Sequence, residues 1–209
     1  MKILAISDIH NDQILIKKLI KFIKEENPNY LFILGDLADF GELRKGIVNV
    51  LTKYFDSNKI FFVPGNHETP DILEILEKKY NIKIFHKNFF EYQNFVISGI
   101  GGADIPFFEI SEYEIEKFLN EIFDKFKNKK IILFSHLPPK GSKTSLNISG
   151  SEILHDFLKK SKISMAIHGH IHETGGLDEI INKSLVLNVA RSIFLIEIDR
   201  EKIEFKKLL

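Results

Sequence analysis

The chain alternates short apolar runs with segments in which apolar residues recur every three or four positions. Runs rich in Ile, Leu, Phe and Val favour buried strands, whereas the wider spacing favours amphipathic helices. The apolar runs predict strands at 3–6, 30–34, 59–63, 95–98, 130–134 and 164–167. The segments between them predict helices, so most of the chain follows an alternating β and α order.

Local start signals identify these helices. Asn11 or Asp12 can cap the first one, and the Thr-Pro pair at 69–70 is typical of a helix start, here for a helix that runs to about Tyr80. A capping box, in which Ser is followed three residues later by Glu, also marks a helix start. The other helices are predicted around 44–55 and after capping-box sequences at 111–114 and 149–152.

The tail after Glu173 has a different character. It contains short strand-like runs at 185–189, 193–198 and 203–205 and no helical pattern. A β/α region followed by a β-rich end predicts either one mixed sheet or two packed sheets, with the helices outside.

Polar residues with metal-binding atoms directly follow several of the predicted strands. They are Asp8, His10, Asp36, Asn66, His67, His136, His170 and His172. The carboxyl ends of strands in α/β sheets meet at one crevice, so these side chains are expected to converge. Pairs two residues apart, such as Asp8 and His10, project the same way while the backbone stays extended.

Each of these short motifs has an ordinary alternative reading. A Gly-Asp pair after a strand is often only a turn, and a single strand-end histidine is often a hydrogen-bonding group. The occurrence of such residues at several strand ends together favours a metal site over turn chemistry.

Composition narrows the chemistry. The 209 residues fit one α/β domain spanning 1–209, since such domains reach about 250 residues. Lys+Arg and Asp+Glu number 29 each, so the net charge is zero, which disfavours a protein held to nucleic acid by phosphate neutralisation without excluding it. A small phosphorylated ligand needs only local charge and remains compatible.

The chain has no cysteine, which excludes disulfides, cysteine-based zinc fingers and thiol catalysis. His, Asp and Asn side chains suit Mn²⁺, Fe²⁺, Zn²⁺ or Ni²⁺. No apolar run approaches the ~18 residues of a membrane span, and the apolar run at the N-terminus is too short for a secretory signal. We therefore expect a cytoplasmic protein with no membrane contact, and leave its oligomeric state open.

The motifs together resemble a known family. In order, the chain carries Asp8-x-His10, Gly35-Asp36, Gly65-Asn66-His67-Glu68, His136 and Gly169-His170-x-His172. This set resembles the calcineurin-like metallophosphoesterase superfamily, and within it the small prokaryotic Icc-related predicted phosphoesterases, through residues 37–40, 99–102, 135–139 and 170–173. The resemblance implies an α/β fold, a four-layer α/β/β/α sandwich of two mixed β-sheets flanked by helices.

The resemblance also implies a binuclear metal centre, with Mn²⁺ favoured over Fe²⁺, Zn²⁺ and Ni²⁺. Asp36 would bridge the two ions and so take part in catalysis, and His67 would assist the leaving group without binding metal. The first ion would be held by Asp8, His10, Asp36 and His172, and the second by Asp36, Asn66, His136 and His170.

Such a centre suits phosphate-ester hydrolysis. Two cations about 4 Å apart neutralise the phosphoryl oxygens, and a hydroxide bridging them acts as nucleophile. We expect hydrolysis of a phosphodiester or phosphomonoester of a small soluble substrate such as a nucleotide. The alternatives are a nuclease, or a non-catalytic metal-binding scaffold of the same fold, which we would expect to have lost ligands or His67.

The surroundings of the motifs leave several questions open. Residues 188–191 stand where relatives have an Asn-Pro-Gly turn, so the role of Arg191 is undecided. Phe107 and Phe108, beside Pro106, either stack on a nucleobase or pack on the protein itself. Lys140, Ser142 and Lys143 either meet phosphate or form a solvated loop. His168 is expected to be structural or to support a ligand, and His86 and His155 to lie at the surface or partly buried.

Overall fold

The computed structural model describes residues 1–105, 107–160 and 162–209. Its strands are β1 Lys2–Ile6, β2 Tyr30–Ile33, β3 Ile60–Phe62, β4 Lys83–Ile84, β5 Asn88–Tyr92, β6 Phe95–Ile100, β7 Lys130–Ser135, β8 Ile163–His168, β9 Asp178–Ile181, β10 Ser184–Asn188, β11 Phe194–Asp199 and β12 Lys202–Lys207. Within the described residues they form two six-stranded mixed sheets, ordered β12-β11-β1-β2-β3-β4 and β5-β6-β7-β8-β10-β9.

The helices pack on the outer faces of these sheets. They are α1 Gln13–Glu26, α2 Ile47–Tyr54, α3 Pro70–Glu74, α4 Glu112–Lys125 and α5 Glu152–Lys159. The apolar faces of α1, α2 and α3 cover the first sheet, and those of α4 and α5 cover the second. No helix in the described part of the chain is long and apolar enough to cross a bilayer.

Alternating side chains along the strands separate the layers. In β1, Leu4 and Ile6 face the helices of the first sheet, whereas Ile3 and Ala5 face the second sheet. The layer between the sheets is rich in aromatic residues, and the rings of Phe32 and Phe134 stack there with centroids 4.1 Å apart. The expected four-layer α/β/β/α sandwich is therefore confirmed.

Parallel pairing brings the strand ends that carry the motifs to one edge. Strands β1, β2 and β3 are mutually parallel, as are β6, β7 and β8. The two sheets meet at this edge, where the Ser7 N–H donates to the Val189 carbonyl over 3.1 Å. The carboxyl ends of β1, β2, β3, β7 and β8 consequently surround one crevice.

Several local expectations needed correction. The segment predicted as a helix around 44–55 is helical only from Ile47, because Gly46 has a φ of +93°. The helix beginning at Pro70 becomes a wider π-helical turn over Ile75–Lys79. The short or partly exposed strands β4, β5 and β9 were not predicted at all.

Helix starts are predicted correctly at α1, α3 and α4 and wrongly at α5; at α3, Thr69 is the N-cap and Pro70 the first helical residue. The Asp12 carboxylate caps α1, and Ser111 forms a full capping box with Glu114 at α4. The second predicted capping box is wrong, because Ser151 rather than Ser149 caps α5. Ser149 instead turns toward the crevice, where it meets one of the predicted site residues.

Candidate metal centre

The structure brings all the predicted site residues together at the crevice. Each follows a strand: Asp8 and His10 follow β1, Asp36 follows β2, Asn66 and His67 follow β3, His136 follows β7, and His170 and His172 follow β8. A hydrogen bond links the two sheets here, since the backbone N–H of His170 donates to Asp8 Oδ2 over 3.0 Å.

Asp8, His10 and His172 form the first cluster. The Nε2 atoms of the two histidines lie 3.2 Å apart, and His172 Nε2 lies 3.1 Å from Asp8 Oδ1. One nitrogen or carboxylate oxygen of each residue falls within 4.8 Å of the others. The donor atoms thus converge on one small volume.

A second cluster lies beside the first. Asp36, His136 and His170 place one donor atom each within 4.8 Å of one another. The Asn66 Oδ1 atom belongs to the same group, 3.1 Å from His136 Nε2. Asp36 links the clusters, since its Oδ2 lies 3.4 Å from His136 Nε2 and 3.8 Å from His10 Nε2.

The backbone at these residues is strained. A left-handed φ is uncommon for residues other than glycine. The backbone strain that it causes is often found at functional sites. The condition of an extended backbone is not met at these pairs, and tight left-handed turns aim the side chains into the crevice instead. Such φ values occur at Asp8 (57°), His10 (45°), Asp36 (51°) and His170 (72°).

The electrostatics of the crevice favour a bound cation. Asp8 and Asp36 are buried, which by itself raises their pKa values, but the neighbouring histidines hold both pKa values below the ordinary range. Burial by itself lowers the pKa of His136, yet Asp36 above all raises it to about 10. The two carboxylates thus attract positive charge strongly into a buried volume.

Hydrogen bonds behind the cluster set the tautomers of two histidines. The Nδ1 of His136 lies 2.7 Å from the Leu34 carbonyl, which can only accept, so Nδ1 carries a proton and donates. The Ser149 hydroxyl donates to Asp104 Oδ1 and stands 3.1 Å from His170 Nε2, so this nitrogen donates to the hydroxyl. The other nitrogen of each imidazole, Nε2 of His136 and Nδ1 of His170, can therefore coordinate a cation, which at His136 would take the place of the Nε2 proton.

His67 stands at the edge of the cluster. The backbone N–H of Phe40 donates to its Nδ1 over 2.8 Å, which leaves the proton on Nε2. That Nε2 lies 3.9 Å from Asp36 Oδ2. By distance alone, His67 also groups with His10 and Asp36, so proximity does not by itself decide between a ligand role and an acid role.

Glu68 is a residue whose importance the sequence analysis missed. It is fully buried, and its carboxylate accepts the backbone N–H groups of Asp36, Ala38 and Gly65 over 3.0, 3.1 and 2.8 Å. Burial and the nearby Asp36 charge raise its pKa to about 7. Its position directly after Gly65-Asn66-His67 was the available signal.

A cavity of about 440 Å³ opens above the clusters. Arg191 stands at its wall, where its guanidinium donates to Asp12 Oδ2 over 2.6 Å and to the Asp8 carbonyl over 3.4 Å. Phe40 and Ile105 line the same cavity. A polar cavity of about 630 Å³ adjoins it across His10 and Asp39.

Phe108, Lys140 and Ser142 contact residues outside the two clusters. Phe108 packs edge-on against His86, with ring centroids 5.2 Å apart, whereas Phe107 is 56% exposed. Lys140 pairs with Glu152, and Ser142 caps the short turn Lys143–Ser145. Pro106 lies outside the described residues.

His168 ends β8 and is fully buried, as expected of a structural residue. Its Nδ1 lies 2.9 Å from the Gly169 carbonyl, and its Nε2 lies 2.9 Å from the Thr144 hydroxyl. Both ring nitrogens are thus engaged by partners other than the clustered carboxylates. His86 and His155 are half-buried and lie outside all three groupings found in the described residues.

Comparison with known proteins identifies the family. A sequence model of the calcineurin-like phosphoesterases matches residues 1–174. The chain belongs to this family. No curated protein matches it. Calcineurin-like phosphoesterases bind divalent metals, in agreement with the His and Asp clusters at the crevice.

Solved structures share the fold at low sequence identity. A Thermus thermophilus protein is 18% identical, with a TM-score of 0.74 over 99% of this chain and 98% of its own. A dimetal phosphatase from Danio rerio is 13% identical, with a TM-score of 0.69 over 99% and 95%. A protein described as an archaeal phosphodiesterase is 16% identical, with a TM-score of 0.55 over 100% of both chains.

Proposed function

We propose that this chain is a hydrolase that uses two divalent metal ions to cleave phosphodiester or phosphomonoester bonds of a small soluble substrate. The observation that carries this proposal is the position of Asp36. Its Oδ2 stands between two histidine clusters, 3.4 Å from His136 Nε2 and 3.8 Å from His10 Nε2. A carboxylate in this position can offer oxygen to two cations at once. The phosphatase and phosphodiesterase among the similar folds support the same reaction class.

The donor set fits the proposed metals. Asp8, His10, Asp36 and His172 would hold one ion, and Asp36, Asn66, His136 and His170 would hold the other. Nitrogen donors without thiolates suit Mn²⁺, Fe²⁺, Zn²⁺ and Ni²⁺, and the carboxylate and amide oxygens favour Mn²⁺. When bound, the metals would neutralise the phosphoryl oxygens and activate water.

The chain's own groups would supply the remaining functions. The imidazole of His67 accepts the Phe40 N–H at Nδ1 and presents its Nε2–H toward the crevice, where it would donate a hydrogen bond to the departing oxygen and stabilise its developing charge. Arg191 lines the cavity, and its permanent positive charge favours an anionic substrate. We also infer that residues 1–209 form one domain, since both sheets share one apolar layer.

A substrate panel tests this proposal. The purified protein is stripped of metal, reloaded with Mn²⁺, Fe²⁺, Zn²⁺ or Ni²⁺, and assayed for metal content by mass spectrometry. Small phosphomonoesters, small phosphodiesters and oligonucleotides are then offered in parallel. We expect about two metal equivalents per chain and metal-dependent hydrolysis of a small ester.

Two results would replace the proposal with its alternatives. Cleavage of oligonucleotides far faster than that of any small ester would indicate a nuclease. Full metal loading without turnover of any ester, together with a stable protein partner in pull-down experiments, would indicate a non-catalytic scaffold.

A further inference from the structure

Phe40 occupies an unusual position beside the candidate metal centre. Although it is a large apolar residue, it is 71% exposed. Its backbone adopts a left-handed φ of 42°. Its ring contacts that of His67, with centroids 4.5 Å apart and planes inclined by 51°.

The exposed ring of Phe40 does not stabilise the fold. Exposed apolar surface forgoes the free energy that burial would contribute. The left-handed φ of Phe40 has a local cause, because residues 39–42 form a tight turn in which Asp39 and Glu42 exchange backbone hydrogen bonds over 3.0 and 2.8 Å, with left-handed backbone at Phe40 and Gly41. The exposed ring contacts His67, so a role in ligand binding accounts for its exposure better than a role in stability.

A second apolar side chain lines the same space. Ile105 is 42% exposed and borders the cavity of about 440 Å³ together with Phe40. The rest of this lining is mostly His, Asp and Asn. The cavity therefore combines a polar, cation-binding floor with an apolar rim next to His67, and its volume lies within the range of small-molecule sites.

We propose that Phe40 stacks on a planar aromatic ring in the organic part of the substrate, with Ile105 as a further apolar contact. The preferred esters would then be nucleotides or aryl phosphates rather than esters of sugars or aliphatic alcohols. This inference rests on the proposed phosphoesterase function and names its substrate class. It assigns the aromatic contact to Phe40 in place of Phe108, which packs on His86.

Fluorescence reports binding separately from turnover. The chain has no tryptophan of its own, so an introduced tryptophan is the only indole fluorophore. Phe40→Trp places a single fluorophore at the rim, and the metal is supplied as Zn²⁺ to avoid paramagnetic quenching. Adenosine 5′-monophosphate and ribose 5-phosphate form a matched pair that differs in the base. We expect the nucleotide to quench the Phe40→Trp emission and ribose 5-phosphate to leave it unchanged. Tyr113→Trp, at a position on α4 that is also 71% exposed, is the control and should respond to neither.

Kinetics provide a second readout that does not depend on tryptophan. Base–aromatic stacking is worth about 1–3 kcal/mol, so Phe40→Ala should raise KM for adenosine 5′-monophosphate about fivefold or more. KM for ribose 5-phosphate should stay within about twofold. Phenyl phosphate and cyclohexyl phosphate form a second pair that differs only in the aromatic ring. Comparison of the two pairs shows whether Phe40 prefers a nucleobase or a simple aryl group. Ile105→Ala should give a smaller loss in the same direction.

The outcomes separate the two proposals. Equal binding of the matched esters by an active wild-type enzyme, or an equal loss on both after Phe40→Ala, would overturn the aromatic contact. Selective quenching by the nucleotide in a protein that hydrolyses no ester would support the contact and overturn the proposed function.

Discussion

The Glu68 carboxylate accepts a hydrogen bond from the backbone N–H of Asp36 over 3.0 Å, inside a fully buried environment. The same carboxylate binds the N–H groups of Ala38 and Gly65. Glu68 thereby joins the loop after β2 to the loop after β3. These loops carry Asp36 and Asn66, so the separation between these two side chains depends on a residue that offers no donor atom to the cluster.

Replacing Glu68 should destabilise the protein strongly. Glu68→Ala leaves three buried N–H groups without an acceptor, each at about 1–3 kcal/mol, so we expect a loss of about 3 kcal/mol or more in the free energy of unfolding. Urea denaturation of the metal-free protein measures this. Glu74→Ala, at an exposed position on α3, should change the same quantity by less than about 0.5 kcal/mol. A loss below about 1 kcal/mol for Glu68→Ala would contradict this account.

Asp36→Asn tests the bridging role. The amide carries no charge and can offer only one oxygen, so metal content should fall from two equivalents to one or fewer and the rate should drop at least about 10²-fold. Metal analysis and the ester assay are run on the same preparation. Asp124→Asn, on the exposed face of α4, should behave as wild type. Two retained metals and a full rate would show that Asp36 does not bridge.

His67→Ala separates a role at the leaving group from a ligand role. A hydrogen-bond donor that stabilises the leaving oxygen contributes about 10²–10³-fold, so kcat should fall by that factor while metal content stays unchanged. The half-buried His155 on α5 serves as the matched position for a control His→Ala change. Loss of metal together with rate would instead place His67 in the coordination shell, as its proximity to His10 and Asp36 allows.

Ser149→Ala tests the support of His170. The hydroxyl fixes His170 Nε2 as a donor and is itself held by Asp104. Loss of such an outer partner typically weakens metal affinity about 10–100-fold, and we expect a weakening in this range. Competition with a chelator measures the affinity. Ser57→Ala, in the short helical turn that precedes β3, should leave it unchanged, and an unchanged affinity for Ser149→Ala would remove Ser149 from the support of the site.

His86 should contribute a pH-dependent part of the stability. Burial, and then the charge of Lys87, lowers the pKa of His86 from 6.5 to about 4, and the neutral Nδ1 accepts the Gly101 N–H. Because the folded state disfavours protonation, this stability is present above about pH 6.5 and is lost as pH falls toward 4. Discounted for partial exposure, the loss is about 1–2 kcal/mol.

The measurement is the pH dependence of urea unfolding. In His86→Asn the amide oxygen can still accept the Gly101 N–H but does not titrate. Between pH 6.5 and 4, the free energy of unfolding should therefore fall more in the wild type than in His86→Asn. Parallel curves across that window would show that His86 is not the responsible group.

Much of the fold could be predicted because its strands are strongly apolar. β1, β2, β7 and β8 are covered on both faces, so nearly all of their residues are buried and form continuous apolar runs. The missed strands lack this signal. β5 and β9 are edge strands whose residues are all exposed or half-buried, and β4 has only two residues. Their pairing depends on neighbours that are distant in sequence.

The false capping box shows the same limit locally. Residues 149–152 have the required pattern, yet the hydroxyl of Ser149 meets Asp104 and His170, which only the folded chain brings near. Ser151 caps α5 in its place, and its hydroxyl is held by Glu112 on the neighbouring α4. A tertiary contact thus decided between two nearby serines.

By itself, the sequence determined which donor residues reach the crevice, because side chains that directly follow parallel strands must lie at the sheet edge. The tertiary structure decided how they meet. Asp8 and His170 are far apart in the chain, and their approach follows from left-handed turns at both residues and from the packing of two sheets. It also decided that Glu68 braces the loops and that Phe40 stays exposed beside His67, since both depend on contacts that no local pattern encodes.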